Sequence, residues 1–254
     1  MSLELTLVDA FTDRPFAGNP AAVALVDVFP DDDRMQSIAR ELNLSETAFV
    51  AAGPDGDRRL RWFTPLVEVD LCGHATLAAA HVLGGSARFR SRSGLLACEA
   101  RPDGLIEMTF PADPPSAAEI PATLSLKGVR GFAIGRFDVL VELADGATVR
   151  NLEPDLAMLA RLGTRAVIVT AAGDRPGIDC VSRVFAPNVG IAEDPVTGSA
   201  HCTLAGFWGP RLGKEALTGE QASARGGTVL MRLAGPHVVI GGRAVTVGRV
   251  RIDV

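Results

Sequence analysis

Residues 3–11, LELTLVDAF, alternate apolar and polar side chains, the two-residue period of a strand with one face in a core. Residues 18–26 open on a turn signal, Gly18-Asn19-Pro20, and continue into a second apolar run. The period then changes. Over residues 31–43, Met35, Ile38, Ala39 and Leu42 recur at helical spacing, and Asp31, Asp32 and Asp33 suit the positive end of a helix dipole. Strands are predicted over 45–52 and 58–65 on either side of the turn GPDG, and shorter ones over 94–100, 104–110 and 137–143. Three prolines among the first five residues of the stretch 111–124 interrupt any ladder or helix, so the domain boundary is placed there. Beyond it the pattern predicts a helix over 154–163 and strands over 165–173, 179–187, 227–235, 237–242 and 243–254.

One element occurs twice. DLCGHATLAAAHVL (70–83) and EDPVTGSAHCTLAGFW (193–208) superpose with Gly73 over Gly198, 125 positions apart (198 minus 73). Each has an aspartate just upstream, Asp70 or Asp194, then small residues, then an Ala-rich run of helical character; each follows a Phe-Xaa-Pro. Gly84-Gly85 stops the first helix. Because strands alternate with this element in both halves, the expected fold class is α+β: two pseudo-symmetric domains, 1–113 and 114–254, each a curved, barrel-like sheet around a central helix. The final strand is able to return to the first domain. A helix start presents free N–H groups and the positive end of a dipole, so two starts facing one cleft would grip a small carboxylate. The other reading is a duplicated fold whose helices fill two cores.

Composition narrows the partners. With 47% apolar and 22% charged residues the chain has the makings of a full soluble core. Net charge is −5, and no Lys/Arg cluster is interleaved with aromatics, so no nucleic acid is expected. No apolar run approaches the ~18 residues of a membrane span, and Glu4 and Asp9 interrupt the region where a signal peptide would be apolar; the expected location is cytoplasmic. Cys72, Cys98, Cys180 and Cys202 show no CxxC spacing, and His74 and His81, seven apart, have no third ligand near them in sequence, so no metal is expected. Without a G-x-G-x-x-G or a P-loop, no cofactor is expected either.

The blocks DAFTDRPFAGNPAAV, LNLSETAFV, RWFTPLVEVDLCGHATLAAAHVL, FAPNVGIAEDPVTGSAH and QASARGG resemble, in order, those of the phenazine biosynthesis PhzF-like protein family, over essentially the whole chain. The resemblance implies a diaminopimelate epimerase-like fold, a site in the cleft between two domains, and a homodimer. It implies a cofactor-independent isomerase that moves a proton on a small cyclic or amino-acid-like carboxylate. Glu46, in the Ser-Glu-Thr block, is then the general acid/base, with His74 and Asp194 as active-site groups; Asn19, Gly73, Gly198 and Ser199 match substrate-binding positions. A carboxylate that deprotonates carbon needs apolar surroundings, and ETAFVAA supplies them.

Two other readings differ in kind. A racemase or epimerase would work from opposed bases, in related folds two thiols; Cys72 occupies the first thiol's place, but Thr197 stands at the second. A non-catalytic small-molecule-binding protein would keep the cleft and dispense with the acid/base.

Overall fold

β1 (Ser2–Ala10) runs antiparallel to β2 (Asn19–Val26), with Leu5 opposite Ala24 and Ala10 opposite Asn19. The structure, a computed structural model, describes residues 2–253. The chain divides into two compact units, the residues up to Thr109 together with those from Gly241 onward, and Phe110–Ile240.

In the first unit, α1 (Asp32–Leu42) carries the chain from β2 to β3 (Glu46–Ala52), which lies parallel to β2 with Ala21 opposite Glu46. Parallel neighbours require such a crossover, because a tight turn reverses the strand. The Asp31 side chain caps α1 by accepting from the Arg34 N–H at 2.8 Å, and Asn43, at φ 50°, ends it. Met35, Ile38 and Ala39 are its buried face, packed in one cluster with Leu5, Ala22, Phe49 and Phe63. β4 (Arg58–Phe63) is antiparallel to β3, and the two-residue β5 (Glu68–Val69) folds back on β4. α2 (Gly73–Val82) then returns the chain, so that β6 (Ala87–Ser91) lies parallel to β4; β7 (Gly94–Ala100) and β8 (Ile106–Pro111) follow as antiparallel neighbours. Every residue of α2 from His74 to Ala80 is buried. A helix with no polar face belongs inside a sheet's curve, and α2 packs on β1, β2, β3 and β7.

The second unit repeats the order. Part of the Pro-rich stretch, expected to hold no ladder, forms β9 (Ser116–Ala118), which pairs with β10 (Val129–Ile134) beyond the prolines. β11 (Asp138–Leu143) is antiparallel to β10, and the short helices α3 (Gly146–Arg150) and α4 (Leu156–Ala160) lead to β12 (Ala166–Ala172), parallel to β11. The helix expected over 154–163 shrinks to α4: Asp155 caps its start at Met158, and i→i+3 bonds from Leu162 and Gly163 tighten its end into a turn. β13 (Cys180–Ala186) is antiparallel to β12, and β14 (Ile191–Asp194) folds back on β13. After α5 (Gly198–Leu212), β15 (Ala216–Gln221) lies parallel to β13 and β16 (Gly227–Ala234) antiparallel to β15. Strand by strand and in pairing sense, β2 to β7 correspond to β11 to β16, with α2 and α5 as equivalents. β17 (His237–Gly242) precedes β18 (Ala244–Asp253), which pairs with β1 along its length, from Ser2 opposite Asp253 to Ala10 opposite Ala244. The fold is α+β and pseudo-symmetric, and the last strand completes the first unit.

Candidate active site

Three segments of the first unit meet at the N-terminus of α2. Glu46 is the first residue of β3, Asn19 the first of β2, and Cys72 is the N-cap of α2, extended at φ −145° and ψ 109° with no side-chain cap. His74, two residues beyond that cap, lies between them. Its Nε2 stands 3.0 Å from Glu46 Oε2, while its Nδ1 faces Asn19 Nδ2 at 3.2 Å and Cys72 Sγ at 3.5 Å. The Glu46–His74 approach is a close ion-pair contact that misses the alignment of a regular hydrogen bond. The Glu46 side chain is 12% exposed and that of His74 5%, and the two facing atoms, Oε2 and Nε2, are both buried.

Burial opposes a charge on His74, yet its pKa is raised well above 6.5, because the Cys72 sulfur and the Glu46 carboxylate together outweigh that burial. Cys72 is itself pushed up, by burial first and by the Glu46 charge second. The Cys72 sulfur and the Glu46 carboxylate thus act on the ring together, and Glu46 acts on the thiol as well. The position of Asn19 depends on Gly18, whose φ of +66° and whose place against the Ala10 carbonyl leave no room for a Cβ.

The second unit builds the matching helix start differently. Thr197 is the N-cap of α5, again extended and without a side-chain cap, and its hydroxyl donates to Asp194 Oδ2 at 2.5 Å. Gln221, at the end of β15, ties this corner together: its amide donates to the Asp194 carbonyl at 2.7 Å, and its Oε1 accepts from the Thr197 N–H at 2.8 Å. Ser199 Oγ accepts from Arg165 Nη2 at 3.2 Å, and Arg165 is held by both oxygens of the buried Asp138, at 2.8 and 2.6 Å. In each copy the residue four beyond the N-cap bonds back to the N-cap carbonyl: Thr76 to Cys72 at 2.6 Å, His201 to Thr197 at 2.8 Å. Burial lowers the His201 pKa to about 4, so its ring is neutral and the Nδ1–H is the donor.

A family model described as phenazine biosynthesis-like protein matches residues 8–249. The chain belongs to this family. An uncharacterized isomerase of Pseudomonas aeruginosa is 51% identical over 100% of both chains. The crystal structure of a PhzF family phenazine biosynthesis protein from Enterococcus faecalis, 39% identical, superposes over 100% of both chains with a TM-score of 0.94. A hydroxyproline epimerase from Agrobacterium vitis, 14% identical, shares the fold over 99% of this chain and 92% of its own, at a TM-score of 0.66. With curated relatives that are isomerases, the chain is an isomerase of the phenazine biosynthesis-like family.

Within this family member, Asn19, Glu46 and His74 come together in the first unit beside Gly73. Asp194, Gly198 and Ser199 lie around the start of α5 in the second, where Asp194 is one hydrogen bond from Thr197 and Ser199 one from Arg165. Sequence reasoning passed over Gln221, Arg165 and Asp138. Gln221 carries no signal of its own inside QASARGG, Asp138 lies within the predicted strand 137–143, and no spacing links 138 to 165. It also saw no third metal donor near His74, whereas one donor atom each of Glu46, Cys72 and His74 falls within 4.8 Å of the others. Among the described residues, no helix is long and apolar enough to cross a membrane.

Proposed function

We propose that this isomerase moves a proton on a small cyclic or amino-acid-like carboxylate by general acid/base catalysis, with Glu46 as the group that takes the proton from carbon and returns it. The observation that carries the reading is the Glu46 Oε2–His74 Nε2 separation of 3.0 Å in a buried setting. A carboxylate so placed is shielded from water, and the imidazolium beside it offers a proton to charge that develops on the substrate. His74 polarises the substrate, and Asp194 holds its amino or hydroxyl group. Asn19 and the backbone at Gly73 and Gly198, with Ser199, bind the anion through N–H and hydroxyl donors at helix starts. The same reading takes the working enzyme as a cytoplasmic homodimer that needs no cofactor; sedimentation of the purified chain tests the dimer.

Racemisation by two thiols finds less support. The position matched to Cys72 is Thr197, whose hydroxyl is engaged with Asp194 at 2.5 Å. The test is proton NMR in D₂O of small cyclic and amino-acid carboxylates with wild type and Glu46→Gln. Deuterium uptake or a rearranged product with wild type alone supports the assignment; equal turnover by both removes Glu46 from the mechanism.

A further inference from the structure

The histidines and cysteines have no metal-binding spacing along the chain, yet folding gives His74 a ring of donors. Cys72 Sγ lies 3.5 Å from His74 Nδ1. Two ligands of one tetrahedral zinc, with Zn–S about 2.3 Å and Zn–N about 2.0–2.1 Å, stand about 3.5 Å apart. The side chains are therefore already separated by the edge of such a site. Asn19 presents its amide to the same nitrogen at 3.2 Å, and a half-turn of that amide brings its oxygen to this place. An N–O edge around tetrahedral zinc is about 3.4 Å. Glu46 Oε2 stands 3.0 Å from Nε2, and one donor atom each of Glu46, Cys72 and His74 lies within 4.8 Å of the others, so the carboxylate is a third donor converging on the same place.

We propose that Cys72, His74 and Glu46, with Asn19 beside them, form a binding site for a thiophilic divalent cation, Zn²⁺ or Cd²⁺, and that its occupancy blocks the isomerase. Sulfur and imidazole donors in a buried pocket select such ions over Mg²⁺ and Ca²⁺, which require several oxygen ligands and retained water. A cation held among these donors pins the ring and ties up the Glu46 carboxylate. The blocking half rests on the proton-transfer reading; the binding half stands apart from it.

Cadmium alone is the first probe, followed through its ultraviolet thiolate absorption with the intact chain. Cys98, Cys180 and Cys202 are also buried free thiols and remain in every variant but their own, so they serve as the internal comparison. One cadmium per chain is expected in wild type, with the band lost in Cys72→Ser, kept in Cys202→Ser, and formed at least about 10-fold more weakly in Glu46→Gln, which removes a charged donor. His74→Ala is the second variant and is expected to lose the band as well, which decides the question should Cys72→Ser fail to fold. Absence of a band in wild type, or a band undiminished in the folded Cys72 and His74 variants, overturns the site. Zn²⁺ is then expected to stop wild-type isotope exchange and EDTA to restore it; exchange that continues with the site filled overturns the blocking role. If Glu46→Gln exchanges like wild type, the proton-transfer reading falls while the cadmium result still decides the site.

Discussion

Glu46 and His74 are 28 positions apart in sequence (74 minus 46), and their side chains stand 3.0 Å from each other. One opens a strand and the other a helix, and the parallel crossover through α1 sets the strand beside the helix start. Replacing Glu46 by Gln keeps the shape and removes the base. Isotope exchange is expected to fall by ~10²–10⁴. Cys72→Ala removes only a protonated thiol and is expected to cost less than ~10-fold, since it is no proton carrier in this scheme. A collapse in Cys72→Ala matching that in Glu46→Gln, measured side by side by NMR, would restore the racemase reading.

The same pair makes stability depend on alkaline pH. The folded-state pKa of His74 is raised above its ordinary value of 6.5, so its contribution is fully present below about pH 6.5 and is lost as pH rises through the folded value. Within that window the loss is at most about 1.4 kcal/mol per pH unit. In Glu46→Gln, the Cys72 sulfur alone is left to oppose burial at His74, and the alkaline loss is expected to shrink. Urea midpoints from pH 6 to 9 for wild type and Glu46→Gln read this directly; parallel curves would contradict the assigned cause.

His201 acts in the opposite direction. Its folded pKa of about 4 lies below the ordinary 6.5, so the unfolded chain binds the extra proton between those values. Stability from this group is complete above about pH 6.5 and declines by about 3 kcal/mol as pH falls toward 4. His201→Gln keeps a donor for the Thr197 carbonyl and cannot ionise. The difference between its urea stabilities at pH 5 and pH 7 is expected to be smaller than in wild type, and an unchanged difference counts against the burial argument.

Gly18 offers a test of how Asn19 is held. An alanine there would drive its Cβ into the Ala10 carbonyl oxygen at φ +66°. Gly84 has a similar φ of +79° with nothing within 4 Å of an added Cβ. Gly84→Ala therefore carries only the left-handed backbone cost of about 1–2 kcal/mol. Gly18→Ala adds the clash and is expected to lose at least about 2 kcal/mol more, together with isotope exchange. Thermal denaturation of both variants makes the comparison, and equal losses would show that the close approach is relieved without cost.

Where hydrophobic spacing was strong, the chain was legible. The strand over 3–11, the helix over 31–43 and the two helices opening at Gly73 and Gly198 are present to within a few residues, because α1 buries one regular face and the other two helices are small-residue runs able to be buried on all sides. β6 reads ARFRS, an alternation too short to stand out, and β15 reads ALTGEQ, which has no apolar period. They are strands because a neighbour on each side completes their backbone hydrogen bonds: β4 and β7 for the first, β13 and β16 for the second. β9 is likewise made by β10, since its three residues show no pattern of their own.

The candidate site divides in the same way. Glu46, His74, Asn19 and Asp194 could be picked out from their blocks, but the pairing of Glu46 with His74, the third donor beside Cys72, and the Asp138–Arg165–Ser199 chain could not. By itself the sequence determined the class of fold, its internal repetition and which helices lie at the centre, since those follow from periodicity and caps within a dozen residues. Only the tertiary structure decided that Glu46, Cys72 and His74 converge. Distances of about 3 Å between groups remote in the chain are set by strand register and helix packing, and these depend on every neighbour at once.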